Sequence, residues 1–98
     1  MTMLTWLIYD ITSNRARKKV ADACKNQGLY RVQKSVFLGD LNSNRTDELI
    51  ELSRNLINVE TDSLYVMPMC KDDFGKVHIL GQGFDGELVA DKLLTKVI

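Results

Sequence analysis

Leu29-Tyr30-Arg31-Val32-Gln33-Lys34-Ser35-Val36-Phe37-Leu38-Gly39 is the stretch that decides the fold. Val32, Val36 and Leu38 share a strand parity. Lys34 falls in the same register, where it would aim a charge at the core. A bulge or kink over Gln33–Ser35 would turn it away. If the run breaks into two strands, the element order is β-α-β-β-α-β, an antiparallel sheet with two helices on one face. If it stays whole, the order is β-α-β-α-β-β. The length of the run and its lack of turn residues leave both orders open.

Upstream, Leu4-Thr5-Trp6-Leu7-Ile8-Tyr9-Asp10-Ile11 reads as a strand over residues 3–11 that is covered on both faces. Asp10 breaks the apolar run. A carboxylate beside such a strand is costly unless it lies at an edge, pairs, or holds a metal, which places it at the strand's C-terminal end. Thr12, Ser13 and Asn14 offer N-cap chemistry for a helix over 14–27, with Val20, Ala23 and Cys24 inward and Gly28 as a left-handed stop. Downstream, 39–44 reads as a turn. A helix capped by Asn44 or Thr46 spans 45–58, with Leu49, Ile50, Leu52, Leu56 and Ile57 inward. Strands are expected over 63–70 and 76–81, the first at an edge or a strand end because of Pro68. A polar turn joins them, and 82–98 follows as a glycine-rich loop and an apolar-containing tail.

The 98 residues form one domain over 1–98, of ordinary composition, with room for a modest core. Small domains of this size often gain burial by dimerising, and 76–98 is the segment expected to serve dimer or partner contacts. Net charge is zero but unevenly spread. Residues 1–58 carry nine cations against six anions, a net of +3, and residues 59–98 carry a net of −3. A polyanion would find its site on the first part. Solvated faces are the plainer reading of such asymmetry alone. Cys24 and Cys70 form neither a CxxC pair nor a zinc pattern, and read as reduced, partly buried thiols of a cytoplasmic protein. No apolar run approaches the roughly 20 residues that span a bilayer.

Three constellations bear on chemistry. Asp10 with Arg15, Arg17 and Arg31 suits Mg²⁺ or Mn²⁺ and a phosphate, because a magnesium ion needs only one or two protein carboxylates. One aspartate is a poor site by itself, but two copies across a twofold axis make a plausible one. The plainer reading is an Asp10 that caps the helix or pairs with an arginine. Second, Arg15, Arg17, Lys18 and Lys19 with Arg31 and Lys34 can neutralise duplex phosphates without reading sequence. Tyr30 and Phe37 are candidate stacking platforms, although strand aromatics are more often core. Third, His78 stands alone in its strand, without a nucleophile at a useful spacing, and reads as structural. Gly81-x-Gly83-x-x-Gly86 has the letters of a dinucleotide fingerprint but no following βαβ unit.

Tyr9-Asp10-Ile11, Arg17-Lys18-Lys19-Val20, Gly28, Arg31-Val32-Gln33-Lys34-Ser35-Val36-Phe37 and Asp62-Ser63-Leu64-Tyr65-Val66 together resemble the small CRISPR-associated adaptation endonuclease family. This is the non-integrase subunit of the spacer-acquisition complex, and the resemblance covers residues 1–70. It implies a ferredoxin-like β-α-β-β-α-β fold and a homodimer with a C-terminal segment that extends the partner's sheet. It also implies Asp10 as a metal ligand facing its partner copy, with Arg17, Arg31 and Phe37 around the scissile phosphate and Ser13 nearby. The implied activity is metal-dependent hydrolysis of RNA or double-stranded DNA. Beside it stands a scaffold role, bridging integrase dimers on DNA. A duplex-binding dimer in which Asp10 is structural is the competing expectation, and a metabolite-binding regulatory domain is the outsider.

Overall fold

A computed structural model describes residues 1–80. The order is β1 (Thr2–Asp10), α1 (Asn14–Asn26), β2 (Tyr30–Gln33), β3 (Val36–Asn42), α2 (Ser43–Leu56), β4 (Ser63–Met69) and a single helical turn, α3 (Lys71–Phe74). The run that opened the question is therefore a hairpin. Gln33 faces Val36 across Lys34 and Ser35, and the register slips between Arg31 and Gln33. Neither turn residue has a positive φ. The loop is thus not one of the primed types that match strand twist, and the slip absorbs the mismatch. Lys34 lies exposed at the turn, away from the core.

The sheet runs β2-β3-β1-β4, antiparallel throughout. With two helices and the β-α-β-β-α-β order, this is a ferredoxin-like α+β fold. Strand parity divides the core. Leu7, Tyr9 and Phe37 join Val20, Ala23, Cys24 and Leu49 from the helices. Leu4, Trp6 and Leu38 lie on the other face, with Ile8, Tyr30, Val32, Val36, Met69, Phe74 and Val77 packed around them. Pro68 sits in β4, at the sheet edge, where a missing ladder donor is tolerated.

The caps follow local chemistry. Ser13 accepts from the Ala16 N–H and starts α1. At its end Gly28 adopts φ 85°. The Leu29 N–H bonds the Cys24 carbonyl and the Gly28 N–H bonds that of Lys25, the paired bonds of a Schellman stop.

Several expectations need correction. Residues 39–44 are not a turn, because β1 supplies ladder partners as far as Thr2 opposite Asn42. Asn42, not Asn44 or Thr46, therefore caps α2. Leu52 is 44% exposed and Ser53 is buried in its stead. Residues 71–74 form α3 rather than a plain turn. Residues 76–80 form no strand: the N–H groups of Lys76 and Val77 bond the carbonyls of Asp73 and Phe74. Phe74 and Val77 instead pack onto the Trp6 side of the sheet. Cys70 is exposed and its sulfur accepts from the Asp73 N–H at 3.5 Å. His78 is exposed and outside any strand. Gly81, the glycine-rich loop and the tail lie outside the described residues.

Candidate nucleic-acid site at the end of the first strand

Asp10 is the last residue of β1 and is exposed. At this point β1 has run past its β3 partners, which end at Ile8 opposite Val36, and Asp10 faces only Ser63 of β4. By parity it shares the face of Trp6 and Ile8. Its carboxylate neither caps a helix nor pairs with an arginine among the described residues. Ser13 holds the cap, and the ion pair found there is Arg54 with Glu51. The plainer reading of Asp10 therefore does not hold.

Beside this strand end, a cleft of about 960 Å³ opens between α1 and the β2–β3 hairpin. Arg17, Lys18, Lys25, Arg31 and Lys34 line it, with Asp22 as the one acid. Tyr9 lines the cleft too, and Arg17 Nη1 donates to the Ile11 carbonyl at 3.3 Å. Tyr9 thus faces the cleft, while Asp10, one residue on, stands by strand parity on the opposite face of the sheet. Lys25 escaped the sequence reading. Its signal is the four-residue spacing Arg17, Ala21, Lys25, which aligns two cations over a small residue on one helix face.

The hairpin turn is tied down from three directions. The Lys34 carbonyl accepts from Arg31 Nη2 at 2.7 Å, from Arg31 Nε at 3.1 Å and from the Tyr9 hydroxyl at 3.2 Å. Arg31 lies over the Phe37 ring, 5.4 Å from its centroid, and Tyr9 stacks on the same ring at 6.3 Å. Phe37 is fully buried. It lies beneath Arg31 and does not line the cleft, unlike the other residues expected around a phosphate, Arg17 and Arg31. Its role is to seat Arg31 from below. Burial pushes the Cys24 thiol up to about 12, against the opposing pull of the Arg31 charge, so this thiol is inert.

Arg15 points elsewhere. With Ser13, Lys19, Asn58 and Asp62 it lines a smaller groove of about 290 Å³ on the other flank of α1. The helix is thus a ridge with cations toward both grooves. Among the described residues no three His, Cys, Asp or Glu side chains converge on a metal-sized site. Asp10 carries the hard oxygen donor that Mg²⁺ prefers and has no competing partner among the described residues, so its chemistry fits such an ion as one ligand of a set. No helix among the described residues is long and apolar enough to cross a membrane.

The architecture defines a class: a ferredoxin-like domain with an acid, unpaired among the described residues, at a strand end and a basic cleft on the other face of the sheet. The family model described as CRISPR associated protein Cas2 matches residues 3–77, and the chain belongs to that family. A CRISPR-associated endoribonuclease Cas2 from Desulforudis audaxviator is 39% identical over 71 residues, 72% of this chain and 67% of that protein. A Cas1/Cas2 endonuclease fusion from Thermoproteus tenax is 43% identical over 49 residues, half of this chain and 19% of the fusion. The crystal structure of Streptococcus pyogenes Cas2 superposes with a TM-score of 0.69 at 25% identity, covering 81% of this chain and all of the other.

Proposed function

We propose that this chain is a metal-dependent endonuclease of a CRISPR system that cleaves RNA or double-stranded DNA as a homodimer. The observation that carries this reading is Asp10, exposed and unpaired among the described residues, at a strand end whose other face opens on a cleft with five cations and one acid. The names of the relatives support the nuclease class. The proposed twofold is supported by the open sheet face. Tyr65 and Met67 are 58% and 40% exposed and stand opposite Ile8 and Trp6 in the register, on the face that Asp10 shares. Such an apolar patch invites a second copy. Packed face to face, two chains would bring their Asp10 carboxylates toward one axis and supply the second ligand.

Asp10 of each copy would hold Mg²⁺, or Mn²⁺ in its place. When bound, that ion supplies charge for the phosphoryl group and a more acidic water. The chain's own residues do the rest. Arg17 and Arg31 orient a phosphate at the cleft mouth, and Lys18 and Lys34 draw in its neighbours. Phe37 and the Lys34 carbonyl keep the Arg31 fork in one orientation, so little side-chain freedom is lost on binding. The test is Asp10→Asn, assayed with Mg²⁺ on RNA and on duplex DNA. Loss of cleavage with intact binding is expected, and unchanged cleavage by a folded dimer contradicts the reading.

One feature favours a duplex-holding role that bridges integrase subunits, with or without cleavage. Arg15, Arg17, Lys18 and Lys19 are all exposed along the first turns of α1, and the helix is flanked by grooves on both sides. Phosphate contacts of this kind position a duplex without reading it. The existence of a Cas1/Cas2 fusion supports an integrase partner. If Asp10→Asn leaves both duplex binding and spacer insertion intact, the carboxylate is dispensable to that role.

A further inference from the structure

Asp62 opens the strand-entry motif Asp62-Ser63-Leu64-Tyr65-Val66 and lies outside the basic cleft. It lies fifty residues from the β1–α1 link, yet its Oδ1 accepts from the Thr12 N–H at 3.0 Å. Its Oδ2 accepts from the Asn58 N–H at 2.9 Å, and the Thr61 hydroxyl adds a bond to Oδ1 at 3.2 Å. Asn58 answers in kind: its carbonyl accepts from the Asp62 N–H at 2.8 Å and its side chain accepts from the Glu60 N–H at 3.0 Å. The loop before β4 is therefore closed on itself by one carboxylate oxygen, while the other reaches across to the segment that follows Asp10.

That segment is where the sheet stops holding β1 from both sides. The last tie to the β3 side is the Tyr9 N–H on the Ser35 carbonyl, and from Asp10 onward only β4 remains, through Ser63. Ser63 is the residue next to Asp62. Ile11 is buried and Arg17 grips its carbonyl, but the Thr12 N–H is bonded by Asp62. We propose that Asp62 is the positioning residue of this site: its carboxylate straps the turn after Asp10 to the loop before β4 and fixes where the Asp10 carboxylate stands. The proposal rests on the nuclease reading for what Asp10 does, not for the strap itself. A reacting group must be held within about 0.5 Å of its productive place, and the Thr12–Asp62 bond adds a tie two residues past Asp10 to those of Arg17 and Ser63.

The full-length chain with Asp62→Ala or Asp62→Asn is compared with wild type by amide hydrogen exchange and by Mg²⁺-dependent cleavage of a single-stranded RNA. In Asp62→Ala the Thr12 amide should exchange about tenfold faster or more, while the Leu7 and Val20 amides keep their protection. Cleavage should lose about tenfold in kcat with KM held within about twofold, the signature of a misplaced reacting group. Asp62→Asn keeps an acceptor for only one of the two N–H donors and should fall between. Unchanged Thr12 exchange in folded Asp62→Ala, or a raised KM at intact kcat, overturns the proposal. If Asp62→Ala loses core protection as well, Asp62→Asn decides on the same two readouts. If the wild-type chain cleaves no substrate, it is the nuclease reading that fails, and the exchange comparison alone decides for or against the strap.

Discussion

Asp10, Arg31, Phe37 and Asp62 lie toward the same end of the sheet and need very different things from it. Asp10 is exposed and, among the described residues, unpaired, so Asp10→Asn should shift unfolding by no more than about 0.5 kcal/mol while, on the proposed mechanism, removing cleavage. Phe37 is the reverse: Phe37→Ala empties a buried ring site and should cost about 3–5 kcal/mol in urea titration. Arg31 uses two nitrogens of its fork on one carbonyl, so Arg31→Lys should behave nearly as badly as Arg31→Ala in phosphate binding. For Asp62, the N–H groups of Asn58 and then Thr12 hold the carboxyl below its ordinary value. A depressed acid contributes stability that is complete above the unfolded value of about 3.9 and fades as pH falls through the folded one. Protection of the Thr12 amide should therefore fade in acid below about pH 4 in wild type, and lack that step in Asp62→Asn. The prominence of Asp10 is legible in the sequence, because a lone acid ending an apolar run needs a reason. The burial of Phe37 is only half legible, since strand parity does not say which face a helix covers.

Among the elements, α1 and the hairpin do the most to build the site. Both ends of α1 were readable, the start to within Thr12, Ser13 and Asn14, of which Ser13 is the cap, and the end as Gly28 from its place after the last inward turn. A Cβ on Gly28 would meet nothing within 4 Å, so its glycine requirement is purely conformational. Gly28→Ala should lower stability by about 1 kcal/mol in thermal unfolding. Gly39 is a steric case: a Cβ there would come within 2.5 Å of the Leu29 side chain. The exposed cations of α1 make a separable prediction. Arg17→Ala and Lys18→Ala should each weaken duplex binding for all sequences and reduce the salt slope by about one. The hairpin was legible only as an alternative, through the single misplaced charge of Lys34, because Lys-Ser is a weak turn signal. The start of α2 misled for a related reason: Asn42, Ser43, Asn44 and Thr46 are all competent caps, and the length of β1 chooses among them.

At the scale of the molecule, among the described residues, the sheet has one face covered by α1 and α2 and another closed only in part, by Phe74 and Val77. Both faces are apolar, which made the first strand look buried throughout and concealed that part of one face is open. Tyr65→Glu combined with Met67→Glu should convert the proposed dimer to single chains by sedimentation, with the monomer fold retained in circular dichroism, because neither side chain enters the helix-covered core. Sequence could not reveal that the Arg17–Arg31 cleft and Asp10 lie on opposite sides of β1, since strand parity does not say which face α1 covers. A substrate strand must therefore cross the strand end to meet both. The most direct measurement is a Mn²⁺ titration of the full chain, read by calorimetry beside Asp10→Asn. Twin carboxylates at a shared axis predict one ion per pair of chains in wild type and none in the variant. One ion per chain, or binding unaltered by Asp10→Asn, would contradict it.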